Sequence, residues 1–136
     1  MNARFETATA AAVTTAFSTI YTSPPLDVGG KVSCEVENVT GGAAFTDFLV
    51  AIQSHPEGEW VTLADADDFA ADFLKAGAGD ATSPLPWVLF ASTAIKTLAT
   101  GDIAHIQFDV GRAYRFRLQG KCGTTTTAKA RGNFEN

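Results

Sequence analysis

No stretch of this sequence approaches the run of about 18 apolar residues that a membrane-spanning helix needs, so no such helix is expected. The opening MNARFETATAAAVTTAF has neither a basic n-region nor an unbroken apolar run, which predicts synthesis in the cytoplasm without a standard secretion signal. Cysteine is limited to Cys34 and Cys122, and histidine to His55 and His105. Two thiols are too few for a disulfide scaffold, and they make no zinc site unless histidines join them. No serine stands in a glycine-flanked nucleophile turn, and there is no catalytic triad, P-loop or dinucleotide fingerprint. The expectation is a non-enzymatic protein with no catalytic residue, no metal and no cofactor.

What the chain does have is enough apolar material for one core. At 136 residues it is about one domain long, and a domain of this size buries roughly 68% of its unfolded surface. Apolar residues make up 46% and charged residues 18%, a globular composition in which ten phenylalanines supply most of the bulk. The net charge of −5 is unevenly spread. Residues 1–111 hold 14 acids against 4 bases, whereas 112–136 hold 6 bases against Glu135 alone. The overall sign makes nucleic acid an unfavourable partner, and the basic end is read as facing an acidic protein surface, a second copy included.

Along the chain, residues 1–12 are small and Thr/Ala-rich with little periodicity, which predicts an extended N-terminal arm or a weak first strand. TAFSTIYT is rich in β-formers and is stopped by SPPLDVGG. KVSCEVENV alternates, with Val32, Cys34 and Val36 on one face and Ser33, Glu35 and Glu37 on the other. FTDFLVAIQ and EWVTL flank SHPEG as consecutive antiparallel strands. At DADDFAADFLKAGAG, Asp65 suits an N-cap, Phe69, Phe73 and Leu74 share a face, and Gly77 can end a short helix. DATSPLPW reads as a loop, and WVLFASTAI as either a strand or a helical piece. AHIQFDV, AYRFRLQGKC and TTTTAKARGNF return to strands. In AYRFRLQGKC, Tyr114, Phe116 and Leu118 alternate with Arg115, Arg117 and Gln119. With seven or eight short strands, the prediction is an all-β single domain over 1–136, a two-sheet antiparallel sandwich or jelly roll with one short inserted helix.

Three groups could carry chemistry. His55, Glu57 and Glu59 bracket a turn, but Pro56 and Gly58 place both acids in water, where nothing separates their pKa values for acid/base work. Asp65, Asp67, Asp68 and Asp72 lack the glycine and the closing glutamate of a calcium loop, and the helix dipole already accounts for acids in a first turn. Cys34 and Cys122 share even parity and are read as buried thiols, with a disulfide as the alternative. The basic residues Arg112, Arg115, Arg117, Lys121, Lys129 and Arg131, joined by Arg4 and Phe5 of the arm, form the candidate assembly interface. Tyr114 and Phe116 have the wrong parity to interleave with the arginines as a nucleic-acid surface would require.

The order of these features resembles small β-sandwich virion proteins of tailed bacteriophages. The residues that carry the likeness are the strand before SPPLDVGG, the hairpin FLVAIQSHPEGEWVTL, the closing AYRFRLQG and the Thr-rich TTTTAKARGNF, spanning residues 15–63 and 103–134. Asp65 to Pro86 departs from that pattern. The resemblance implies a structural role on the capsid surface as a decoration or cement protein, synthesised in the host cytoplasm. It would form homo-oligomers, trimers first, bound to the major capsid protein or another virion protein. Two alternatives are a head-tail connector or tail-terminator ring protein, and a carbohydrate-binding or host-attachment module in which Trp60 or Trp87 stacks on a sugar.

Overall fold

Alternation of apolar and polar residues converts directly into strands here, because each strand has one face to bury and one to solvate. The computed structural model describes residues 2–26, 30–69 and 88–135. They form ten strands: β1 (Asn2–Glu6), β2 (Ala11–Val13), β3 (Ser18–Thr22), β4 (Lys31–Asn38), β5 (Phe45–Gln53), β6 (Trp60–Asp65), β7 (Val88–Ala91), β8 (Ile103–Asp109), β9 (Arg115–Cys122) and β10 (Thr126–Glu135). Two sheets result. One runs β1-β10-β4-β8-β7 with β2 also on β10, the other β3-β9-β5-β6, and every pairing is antiparallel.

β1 and β2 lie on the same edge of β10, opposite Arg131–Glu135 and Thr126–Ala128 respectively. They act as one broken strand. At the break, the Thr7 backbone N–H donates to the Ala130 carbonyl, and the Thr7 hydroxyl accepts from the Ala130 N–H. Counting β1 and β2 once and setting β7 aside, the sheets read first-eighth-third-sixth and second-seventh-fourth-fifth. The chain thus alternates between sheets at almost every step.

The N-terminal stretch is extended as expected, but its described part belongs to the sheet and does not project from it. Phe5 stacks on Tyr21 with ring centroids 4.5 Å apart and meets the Phe116 ring edge-on at 5.8 Å. An aromatic with this much apolar surface is more stable against the core margin than in a free arm. Edge-to-face contacts continue inward from Phe116 to Phe108, Phe69 and Phe48. Val32, Val36, Ile106, Leu118 and Val13 are fully buried around them.

Where the short helix was expected, the described residues hold a 3-10 turn, Ala66–Asp68, capped by Asp65. Phe73, Leu74, Gly77 and the loop of residues 80–87 lie outside the described residues. WVLFASTAI resolves into β7 followed by a 3-10 turn, Ile95–Thr97. Cys34 and Cys122 are free and buried. Burial, with the Glu35 charge adding to it, holds the Cys34 thiol far above its ordinary range. The Cys122 thiol donates to the Val13 carbonyl at 3.4 Å.

The most deeply buried polar side chain among the described residues is Asn38, at the end of β4. Its amide donates to the carbonyls of Ala43 (3.0 Å) and Leu98 (2.9 Å), and its oxygen accepts from the Thr126 hydroxyl at 2.7 Å. One side chain therefore ties β4 to the loop before β5, to the turn after Ile95 and to β10.

Candidate functional site

The β5–β6 hairpin is built by Gln53. Its position on β5 points it outward, between Trp60 on β6 and Arg115 on β9 in register. Its Nε2 donates to the Gly58 carbonyl at 2.7 Å, which closes the turn from inside, and the Gly58 N–H donates to the His55 carbonyl at 2.9 Å. His55, Glu57 and Glu59 are left exposed on the tip. The structure brings them to one turn but not into a buried site.

The far side of Gln53 does something the sequence did not announce. Its Oε1 accepts two hydrogen bonds from Arg115, from Nε at 2.9 Å and Nη2 at 2.7 Å. The Arg115 guanidinium lies 5.4 Å from the centre of the Trp60 ring, and that of Arg117 lies 4.5 Å from it. Arg115 is also 5.6 Å from the Tyr114 ring. Beneath them Ala51, opposite Arg117, is 2% exposed although it faces outward, so the flat groups cover it. Arg117 Nε is buried with no hydrogen-bond partner, and desolvation lowers the guanidinium's pKa from its ordinary value. Further along β9, Lys121 Nζ sits 5.1 Å over Phe17, which is 37% exposed. Cation–π contacts of this kind contribute about 0.5–1 kcal/mol each at exposed sites.

The other basic residues lie elsewhere. β9 and β10 are consecutive but belong to different sheets, so Lys129 and Arg131 emerge on the opposite outer face from Arg115, Arg117 and Lys121. Arg4 accompanies them there on β1, and Arg112 is exposed on the turn before β9. The eight residues of the expected interface thus form two separate surfaces and a turn, with Phe5 turned into the core margin. The cause is topological: a hairpin within one sheet would have kept them together.

On the six-stranded face, Glu35 is flanked in register by Arg131 and His105. Arg131 Nε donates to Glu35 Oε2 at 2.8 Å, and His105 Nδ1 stands 3.8 Å from Oε1. With Arg4, Ser33 and Asn133 they line an open recess of about 510 Å³. The pairing raises the Arg131 pKa through the hydrogen bond and charge of Glu35. Odd parity placed each of the three on a solvent face, but their adjacency depends on the order β10-β4-β8.

The aspartates have local work. Asp65 accepts from the Asp67 N–H at 3.0 Å, Asp68 accepts from the Asp65 N–H at 2.9 Å, and Asp67 pairs with Lys96 at 3.2 Å. Partial burial, ahead of the neighbouring Asp65 and Asp67 charges, raises the Asp68 carboxyl. Asp72 and Trp87 lie outside the described residues. Among the described residues no three His, Cys, Asp or Glu side chains are grouped to hold a metal ion, and no helix is long and apolar enough to cross a membrane.

The chain is similar in structure to the SPBc2 prophage-derived protein YomS, known from a crystal structure, with a TM-score of 0.51 at 11% sequence identity. The match covers 98% of this chain and 93% of that one. No family model matches the sequence, and no curated protein matches it. At this identity the likeness extends to the fold.

Proposed function

We propose that the chain is a non-enzymatic structural protein of a bacteriophage particle, and within that class a decoration protein on the capsid surface. The observation that carries the reading is the strand order. With β7 set aside, first-eighth-third-sixth against second-seventh-fourth-fifth matches the order expected of two interlocked Greek keys, which supports reading the sandwich as a jelly roll, an arrangement used by viral capsid domains. The whole-length likeness to a prophage-derived protein supports the same origin. Two outer faces with charged residues in ordered rows suit repeated docking on a symmetric shell, where many modest contacts add up. The partner in this reading is the major capsid protein, and the chain is a homo-oligomer, a trimer at the local threefold positions.

Two measurements test it. Mass spectrometry of purified particles of the phage that encodes the chain should find it in stoichiometric amounts, and the purified chain should co-sediment with emptied heads. Native mass spectrometry should give trimers; a larger closed ring would move the assignment to the head-tail connector or tail terminator. Absence from the particles would refute the role. Deleting residues 1–12 is not a clean test of docking, because it removes β1 and most of β2 from the sheet.

A further inference from the structure

We propose that the outer face of the four-stranded sheet is a carboxylate-recognition surface, on which an extended acidic protein segment docks along β9 at Arg115, Arg117 and Lys121.

The two guanidiniums of this face are held in place but not neutralised, and Lys121 stands opposite Asp47 in register without an ion pair to it. Arg131 and Lys96 each have a carboxylate partner, whereas among the described residues Arg115, Arg117 and Lys121 have none, in a chain with 15 acids against 10 bases. Arg115 spends two donors on a neutral amide oxygen. Arg117 has no hydrogen-bond acceptor among the described residues, and its Nε is buried and unpaired. The Trp60 ring and the small Ala51 hold the two guanidiniums flat. Ordering two long side chains is a large part of what an ion pair normally costs, and here it precedes binding.

The spacing identifies the occupant. Arg115 and Arg117 occupy alternate positions of one strand, about 6.8 Å apart, and Lys121 lies two such intervals further on, beyond Gln119. An extended segment running along β9 offers its own alternate side chains at the same interval, so acids at every second residue face Arg115, Arg117 and Lys121, with one of them over Gln119. Lys121 over Phe17 is the far end of the row. A nucleic acid is the poorer fit, because the Trp60 ring already carries two guanidiniums where a base would stack.

The inference rests on the docking role proposed above, but its test needs no particle. Absence from particles would sink the role and leave the surface standing; failure to bind peptide would sink the surface alone. The probe is an alternating Glu-Thr peptide, titrated into the full-length chain while the Trp60 indole N–H cross-peak is followed by NMR, that peak being assigned by its loss in Trp60→Phe. A saturable shift is expected, weakened by about 0.5 M salt. Arg117→Gln should reduce affinity about tenfold and Arg117→Lys should restore only part of it, because a lysine keeps the charge but not the planar fork. Arg115→Gln is the second variant, and the dispersion of the remaining spectrum reports folding. No shift, unchanged affinity in both glutamine variants, or tighter binding of an oligothymidylate of equal length would overturn the proposal.

Discussion

Replacing Asn38 by alanine should cost this protein about 3–5 kcal/mol of stability. The side chain is fully buried and makes three hydrogen bonds to three separate segments. A hydrogen bond is worth about 1 kcal/mol net, and a buried group left without its partner costs about 1–3 kcal/mol. After truncation the Ala43 carbonyl loses its partner and the Thr126 hydroxyl loses its acceptor, while the Leu98 carbonyl still accepts from the Phe45 N–H. Two abandoned groups and a small cavity set the range. For a chain of this length that is a fall in Tm of roughly 10–20 °C. Urea unfolding followed by circular dichroism at pH 7 measures it. Asn38→Asp sharpens the test, since its carboxyl would face two carbonyl oxygens and must be protonated to donate to either. Its folded pKa would then lie above the unfolded value near 4, the folded state would bind more protons, and stability would fall as pH rises from about 4 to 7. A loss below about 1 kcal/mol in Asn38→Ala, or an Asn38→Asp deficit that does not change with pH, would refute the reasoning.

Other outcomes follow from the same structure. Neither Cys34 nor Cys122 should react with a thiol reagent at pH 8 in the folded chain, and both should react in denaturant, because burial keeps the Cys34 thiol protonated. The raised Cys34 value has a fixed sign: its contribution to stability is fully present below the unfolded thiol pKa and is lost as pH climbs past about 8.5, measurable as a falling urea midpoint. Gly132→Ala should destabilise by more than about 2 kcal/mol, since a methyl group there collides with the Ser33 carbonyl and the Cys34 backbone across the β10–β4 ladder. Glu35→Gln should change the urea midpoint little, because Arg131, the cation paired with its carboxylate, is exposed at the surface.

The strands that the sequence revealed are those whose apolar face is bulky. β4 with Val32, Cys34 and Val36, and β9 with Phe116 and Leu118, declare their parity because burying those side chains leaves no other register. β1 was legible only as a weak possibility: its stability comes from pairing with β10, and nothing in NARFE records that partner. The two surfaces failed to appear for a related reason. Parity correctly placed Phe116 in the core, but Tyr114, just before β9 begins, lies against Arg115, and the ring that both guanidiniums meet is Trp60, two strands away across Gln53. Glu35, His105 and Arg131 are likewise 26 to 96 positions apart and meet through strand order alone. Reading the last 25 residues as one basic patch treated nearness along the chain as nearness in space, which the crossing from β9 to β10 breaks.

The broken strand formed by β1 and β2 also protects the protein from itself. β10 is ten residues long, and without a neighbour on that side it would offer an unpaired row of backbone donors and acceptors to any passing chain. Covering it with two short pieces, interrupted at Thr7 and carrying Arg4 and Glu6 outward, leaves an edge too short and too charged to template further pairing. Proteolytic loss of the first thirteen residues would therefore be felt first as aggregation, before any loss of binding.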